Sequence, residues 1–536
     1  MRGTRSGILV VLGFTLALFL PFLAKPMHND EPVFAAVGRH ILADPLHPIA
    51  FDYYWFGQTM PMAKINTTPP GFLYLMAAVE ALPGERELLM RLAFLPFVLA
   101  AAWALYGLAS RFLERPLLPV LIVIASPAFL LNMGHLMPEA PSLGLGLLGM
   151  RLAVQGADER RSWAWTAGAA LLGMAALFKY NAGLLIPAAV CYGLLSGVPP
   201  MRLAAFTVLA CAPAGLYIGW DLLGERAFAA RAWEVTSQSS SAWWSSWPHK
   251  ARSLLAFTGG CGVVTALWPY VMEARSGWTR WHAGAALCVA ALFLPAWDLA
   301  PVRSVDRATG IVLSVGAVFG LARAALSPGS APGWRLWLPW LASAAVFQAF
   351  LYWSVMARTV LHMLPPLVFL LAGRAEALLG ARRFERLGLA SLAATVVLSL
   401  TLGWVDHTYA SATKAFAEDV ARTRLAQGRT VYFTGAMGLQ HYLEPKGAVG
   451  LEVLQGGWDR VRPGDVVVDL RINSVKAGRG KPRLADVTTR SLGHPVPLRL
   501  MSAYDGEGGF YSNVSGFLPF SLSAEPLEEF SVVELR

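Results

Sequence analysis

Long apolar runs fill the first three quarters of this sequence and limit what it can fold into. A helix that spans a bilayer needs about 20 mostly apolar residues, and about 13 runs approach or reach that length. Only 15% of the 536 residues are charged and 55% are hydrophobic, whereas a soluble domain carries about 25% charge. We therefore predict a polytopic, all-α membrane protein. The candidate spans are 8–24, 88–110, 117–133, 140–154, 163–178, 181–196, 203–221, 254–272, 281–297, 309–326, 335–356, 359–373 and 387–404.

Arginines in the connecting loops orient these helices, because loops on the cytoplasmic side are rich in Lys and Arg. The run 69–82 is too short to span, and we predict an interfacial or re-entrant helix there. The N-terminus, with Arg2 and Arg5, is then cytoplasmic, and the C-terminus lies outside. The net charge of +10 reflects this topology rather than nucleic-acid binding. The arginines gathered on the cytoplasmic side are Arg111, Arg115, Arg160, Arg161, Arg202, Arg275, Arg280, Arg374, Arg382, Arg383 and Arg386.

The composition changes near residue 405, where charged residues, glycine and short β-type runs appear. We predict two parts: a membrane domain, 1–404, with a long outer loop at 25–87, and a small extracytoplasmic α/β domain, 405–536. A helix is predicted at 415–427. The β-type runs are 430–433, 466–470, 498–501 and 530–535.

Two adjacent acids, Asp30 and Glu31, follow the first apolar run. Carboxylates beside lipid are costly to desolvate, so a pair of them indicates a functional site. The alternative is a polar helix start, in which Asn29 or Asp30 caps a helix that begins at Pro32. An amphipathic interfacial helix is predicted over 32–42.

Further polar residues are predicted at outer helix ends, on the same face as this acid pair. An enzyme that acts on a lipid-linked phosphate needs cations to hold the phosphate and a carboxylate to take a proton. Each residue alone has a structural explanation: Lys179 can snorkel, Arg358 can anchor a helix, and His362 can be a core histidine. The loop 222–253, rich in Ser and Trp, is either a flexible cover or a connector. The polar residues on this face are Glu139, Lys179, Arg252, Arg358 and His362.

Several short motifs occur in a characteristic order. They are Asn29-Asp30-Glu31-Pro32, Thr68-Pro69-Pro70-Gly71-Phe72-Leu73-Tyr74, Glu87-Leu88 before Arg91-Leu92, Met137-Pro138-Glu139, Phe178-Lys179-Tyr180, and Ala357-Arg358 before Leu364-Pro365. This order resembles that of the GT-C fold integral membrane glycosyltransferases. It is most similar to the branch that contains the lipid A aminoarabinose transferase and the protein O-mannosyltransferases.

The resemblance implies a hexosyl- or pentosyltransferase in the cytoplasmic membrane, with a polyprenyl-phosphate sugar as donor and a lipid, polysaccharide or glycan as acceptor. It puts Asp30 forward as the base, with Glu31 and Glu139 as further catalytic acids. Thr68 stands where the family usually has a lysine, and the nearest cation is Lys64. The predicted phosphate-binding set is Lys179, Arg358, Arg252, Lys64 and His362.

No cluster of His, Asp and Glu shows metal-ligand spacing, and none of the four cysteines lies in a CxxC motif. We therefore predict no metal ligands and no certain cofactor, and leave a divalent metal open because some family members bind one. Direct attack on the anomeric carbon implies inversion. The alternatives are protein O-glycosylation, a flippase for lipid-linked sugars, and a non-catalytic scaffold.

Overall fold

The structure is a computed structural model that describes residues 2–82, 87–223, 234, 247–294, 301–326, 333–474 and 485–535. Most of the described chain is helical, and a small sheet lies near the C-terminus, as predicted. The predicted Ser- and Trp-rich cover falls mainly on 224–246, outside the described residues except for residue 234. The helices before it are α1 (Arg2–Phe19), α2 (Glu31–Ala43), α3 (Met62–Ile65), α4 (Pro70–Glu80), α5 (Glu87–Phe112), α6 (Leu117–Ala125), α7 (Pro127–Met133), α8 (Glu139–Asp158), α9 (Ser162–Phe178), α10 (Leu185–Leu195) and α11 (Pro200–Leu223).

The second half of the chain adds further helices, and we call these and the helices above together the helical layer. The structure describes there α12 (Trp247–Gly260), α13 (Val263–Ser276), α14 (Arg280–Ala291), α15 (Ser304–Leu326), α16 (Trp334–Val346), α17 (Ala357–Val360), α18 (Leu364–Leu379), α19 (Ala381–Thr423) and α20 (Gly438–Leu443).

Within the described residues, five helices are long and apolar enough to cross a membrane, or six if the bent pair α12 and α13 forms one span. Several predicted spans are broken. The run 117–133 divides at Ser126, which is extended because Pro127 follows it, and whose hydroxyl accepts from the Phe129 N–H at 3.2 Å. The run 254–272 bends by 81° between α12 and α13. The total of about 13 crossings stays a prediction.

Helix α4 occupies the run that we predict not to cross. It has 11 residues, which is about half a bilayer span. Phe72, Leu73 and Met76 on it are fully buried. A Cβ on Gly71 would lie 2.7 Å from the Leu177 carbonyl oxygen, so only glycine allows α4 to approach α9 this closely.

Ion pairs gather arginine-bearing loops at one end of the helical layer. Arg111, at the end of α5, pairs with Asp158 at the end of α8 at 2.7 Å. Arg115 pairs with Glu376 near the end of α18 at 2.9 Å and also with Glu385 near the start of α19. The predicted grouping of these loops is therefore a feature of the structure, while the side of the membrane on which they lie stays a prediction.

Cysteine accessibility at two exposed positions tests this orientation. In a variant with all four native cysteines replaced by Ala, Glu114→Cys is expected to react only after the membrane is made permeable. Lys446→Cys, in the C-terminal domain, is expected to react in intact cells. Reaction of both on one side would overturn the topology. The cysteines to replace are Cys191, Cys211, Cys261 and Cys288.

Helix α19 runs for 43 residues, straight through the predicted domain boundary at 404/405. Its last turns leave the helical layer and bury Phe416 and Val420 against Val431 and Phe433 of a small sheet. The predicted helix at 415–427 is the end of this longer helix. The chain stays helical there because its apolar residues pack against the small sheet. The position of the boundary remains a prediction from composition.

The strands after α19 are β3 (Val431–Phe433), β4 (Val449–Gly450), β5 (Val466–Leu470), β6 (Ala485–Leu492), β7 (Leu498–Arg499), β8 (Ser521–Leu522) and β9 (Glu528–Leu535). Five of them form a sheet in the order β4-β3-β5-β9-β6. Strand β3 pairs in parallel with β4 and β5, and β9 is antiparallel to β5 and β6. The predicted runs contain or overlap β3, β5, β7 and β9; the sequence missed β4 and β8, which have two residues each, and β6, which is largely polar. A separate hairpin of β1 (Asp52–Trp55) and β2 (Gln58–Pro61) lies in the first loop.

Candidate active site

A cavity of about 750 Å³ lies where the start of α2, the loop before α4 and the turn after α9 meet the segment before α18. Residues of the C-terminal part, between 437 and 515, complete its wall. Asp30, Lys179 and Arg358 line this cavity. Three residues that the sequence places on one membrane face are thus brought together from positions almost 330 residues apart.

The charged side chains at the cavity form a row of alternating sign. Arg358 Nη1 lies 3.0 Å from Asp30 Oδ2, and Arg358 Nε lies 3.9 Å from Glu139 Oε1. Lys179 donates to that same Glu139 oxygen. Two carboxylates therefore balance two cations in this row.

Asp30 is the more accessible of the two carboxylates. Its side chain is 30% exposed, whereas that of Glu139 is 2% exposed and does not line the cavity. Asp30 is the residue before α2, but its carboxylate makes no capping hydrogen bond to that helix. The capping explanation for Asp30 is therefore wrong, because its side chain turns to Arg358 instead.

Glu31 points to a different environment from its neighbour. It is fully buried, does not line the cavity, and accepts from Arg91 Nη1 at 2.8 Å and Arg91 Nη2 at 3.2 Å. The Leu136 and His28 backbone N–H groups also donate to it, at 2.8 and 2.9 Å. Burial alone would raise the pKa of Glu31, but Arg91 and His135 hold it well below its ordinary value. Glu31 therefore fixes the loop before α8 against α2, and its predicted role as a catalytic acid stays a prediction.

A buried polar cluster behind Glu31 was not predicted. Asp406 on α19 accepts from Lys25 at 2.7 Å and from Tyr511 at 2.6 Å, and lies 2.8 Å from His28 Nε2. His135 Nε2 lies 3.2 Å from the Lys25 amino group. No local pattern indicates this cluster, because Asp406 is 381 residues from Lys25 and Tyr511 is further still.

His28 and His135 of this cluster, together with Glu31, bear on the prediction that the chain has no metal ligands. His28, Glu31 and His135 each offer one ligand atom within 4.8 Å of the others. Arg91 occupies both Glu31 oxygens, however, and the Lys25 cation sits beside His135. A divalent ion would face two fixed positive charges, so these residues fit a metal poorly.

Three of the predicted phosphate-binding residues do not line the cavity, so their role in binding phosphate stays a prediction. Lys64 is exposed on α3, beside Ile65, which does line it. Arg252 is buried on α12, where Nη1 donates to the Leu292 carbonyl at 3.1 Å, beyond the end of α14. His362 is buried behind the wall, 3% exposed. Sequence shows that a residue is at a helix end, but packing decides which way it faces.

The C-terminal segment positions the loop that carries Arg358. Asn513 Oδ1 accepts from the Ser354 hydroxyl at 2.7 Å and from the Val355 N–H at 3.0 Å, and the Ala357 N–H donates to the Phe510 carbonyl at 3.0 Å. Tyr511 and Ser512 between them line the cavity. Residues of the C-terminal part therefore form part of the candidate site.

Glu507, in the loop that leads into this segment, predicts a pH dependence of stability. Burial raises the pKa of Glu507 to about 7, and Asp306 adds to the rise. A carboxyl with a raised pKa in the folded state stabilises the fold fully below its ordinary pKa, and this stabilisation is lost as the pH rises through about 7. We expect the detergent-solubilised protein to lose up to about 3 kcal/mol of stability from this group between pH 4.5 and 8. In thermal melts Glu507→Gln should flatten this dependence; an unchanged slope would contradict the assignment.

Comparisons with known proteins agree with the predicted class. Residues 67–217, less than half of the chain, match the family model described as dolichyl-phosphate-mannose-protein mannosyltransferase. This segment contains Glu139 and Lys179. The match confirms, over these residues, the predicted resemblance to membrane glycosyltransferases.

Two solved structures are similar to the chain over most of its length. They are ArnT from Cupriavidus metallidurans in the apo state and the same protein bound to undecaprenyl phosphate; both are 14% identical with a TM-score of 0.40. The first alignment covers 87% of this chain and 93% of that one, and the second covers 86% and 92%. No curated protein matches the chain.

Proposed function

We propose that this protein transfers a sugar from a polyprenyl-phosphate donor to a lipid, polysaccharide or glycan acceptor on the outer face of the cytoplasmic membrane. The observation that carries the proposal is the charged row at the cavity, in which Arg358 bridges the accessible carboxylate of Asp30 and the buried Glu139–Lys179 pair. A lipid-phosphate donor needs this combination, because one part of the site must stabilise a departing phosphate while another removes a proton.

In the proposed reaction an acceptor hydroxyl oxygen attacks the anomeric carbon of the donor sugar. The bond between that carbon and the phosphate oxygen breaks, and polyprenyl phosphate leaves with the bonding electron pair. Asp30 takes the hydroxyl proton, and Arg358 and Lys179 stabilise the negative charge on the phosphate. A single displacement inverts the anomeric configuration.

The Asp30–Arg358 pair gives the site a means of coupling donor binding to base activation. At 3.0 Å the guanidinium holds the Asp30 carboxylate before the donor enters. A phosphate beside Arg358 competes for the same N–H groups, which frees Asp30 to accept a proton. Glu139 keeps Lys179 in place, so we assign it a positioning role rather than direct contact with the substrate.

Donor binding should depend on the two cations at the cavity. Lys179→Gln and Arg358→Gln are each expected to weaken donor affinity by about 1.5 to 3 kcal/mol, the scale of a hydrogen bond to a charged group. Isothermal titration with a short-chain polyprenyl-phosphate sugar measures this. Lys64→Gln is the matched control, because Lys64 lies outside the cavity. Weakening by Lys64→Gln alone would move the phosphate site to the loop before α4.

An activity panel tests the function as a whole. Purified protein in liposomes is given radiolabelled polyprenyl-phosphate hexoses and pentoses, with membrane lipids, glycans or unfolded proteins as acceptors. Transfer to a lipid or glycan supports the proposal. Transfer to protein would favour O-glycosylation, the activity that the matched family description names. Lipid-linked sugar crossing the bilayer without transfer would indicate a flippase.

A further inference from the structure

A second cleft, of about 530 Å³, lies at the end of the helical layer opposite the candidate active site. It opens between the α8–α9 and α10–α11 connections. Helix α8 has 20 residues, which at 1.5 Å per residue separates its two ends by about 30 Å. Glu139 begins this helix and the cleft lies beyond its other end, so the cleft is distinct from the catalytic cavity.

Three arginines form the rim of this cleft. Arg160, Arg161 and Arg202 line it and are exposed. Arg161 is held by Glu159 at 3.0 Å. Among the described residues, no carboxylate forms a salt bridge with Arg160 or Arg202, since the nearby Asp158 pairs with Arg111. The rim therefore keeps positive charge for an outside partner.

The wall of the cleft is apolar and closely packed. Trp165 and Phe206 are buried, with ring centroids 4.3 Å apart, and Trp165 Nε1 donates to the Arg202 carbonyl at 3.1 Å. A Cβ on Gly156 would lie 2.5 Å from the Trp165 backbone nitrogen, so α8 and α9 meet without slack. The wall thus presents a fixed aromatic surface below the arginines.

Helix α11, which is long and apolar enough to cross a membrane, connects this wall to an exposed apolar surface. Arg202, Ala205, Phe206 and Leu209 line the cleft at helical spacing. On the neighbouring face of the same helix Met201 is 82% exposed and Val208 69% exposed. An occupant can therefore place a charged group at the rim and continue as a hydrocarbon chain along α11.

We propose that this cleft binds an anionic phospholipid, with the headgroup phosphate at Arg160 and Arg202 and an acyl chain along α11. Charge complementarity favours an anion, and the exposed apolar stripe favours a lipid over a free phosphate. The site lies on the predicted cytoplasmic face, where anionic lipid headgroups attract basic residues.

Native mass spectrometry of delipidated protein tests the proposal. The wild type is expected to bind phosphatidylglycerol at least about 10-fold more tightly than phosphatidylcholine. Arg160→Gln/Arg202→Gln should lower the affinity for phosphatidylglycerol by roughly 10- to 30-fold. The loss for phosphatidylcholine should be smaller, because its choline cation offsets the charge of its phosphate. Arg382→Gln is the matched control, because Arg382 is an exposed arginine at the same end of the layer, outside the cleft.

Two results would overturn the proposal. One is an unchanged lipid preference in the double variant. The other is displacement of phosphatidylglycerol by inorganic phosphate at equal concentration, which would make the cleft a site for a free anion. Neither result depends on the catalytic activity, so failure here is distinguishable from failure of the proposed function.

Discussion

Asp30→Asn is expected to lower turnover by about 100-fold or more while donor affinity and folding stay nearly unchanged. Asparagine keeps the shape of the side chain, and its amide oxygen can still accept from Arg358, which lies 3.0 Å from the aspartate. It cannot take a proton from the acceptor. Turnover of the reconstituted enzyme, donor titration and a thermal melt measure the three quantities separately.

Asp52→Asn is the matched control for this variant, because Asp52 is exposed on β1 and does not line the cavity. It should leave turnover at the wild-type level. A folded and fully active Asp30→Asn enzyme would remove Asp30 as the base. Absence of transfer activity from the folded wild type would instead favour the scaffold or flippase alternatives.

Glu31→Gln is expected to destabilise the fold by about 3 to 5 kcal/mol. The change leaves Arg91, which is 3% exposed, as a buried cation without its carboxylate. It also weakens the hydrogen bonds that the Leu136 and His28 backbone N–H groups donate to this side chain. Denaturation of the detergent-solubilised protein, followed by its melting temperature and by fluorescence, measures the effect.

The double variant Glu31→Gln/Arg91→Gln should recover part of this loss, because it removes the uncompensated charge. Glu114→Gln serves as a control, since Glu114 is exposed. If Glu31→Gln abolished turnover with no change in stability, Glu31 would be a catalytic acid after all, as the sequence resemblance implies.

Most of the fold could be predicted from the apolar runs and the arginine-bearing loops. Their lengths and alternation predicted the helical layer, and the sequence also predicted the helix at 32–42, which is α2 (Glu31–Ala43), and four of the strands. These features are local, because each depends on residues within one element. The same reasoning predicted the convergence of Asp30, Lys179 and Arg358, since charge placement assigns loop ends to one face. Their roles in catalysis stay predictions.

What the tertiary structure alone decided is the direction in which each charged side chain faces and which distant residue meets it. Asp30 and Glu31 are adjacent in sequence, yet one lines the cavity and the other is buried against Arg91. Arg252 carries the same charge as Arg358, but it donates to the Leu292 backbone carbonyl, just beyond the end of α14. Composition and spacing determine that a polar group stands at a helix end, because insertion into the bilayer requires it. Only the packing of α2, α17 and the C-terminal segment determines its partner, because that contact joins residues hundreds of positions apart.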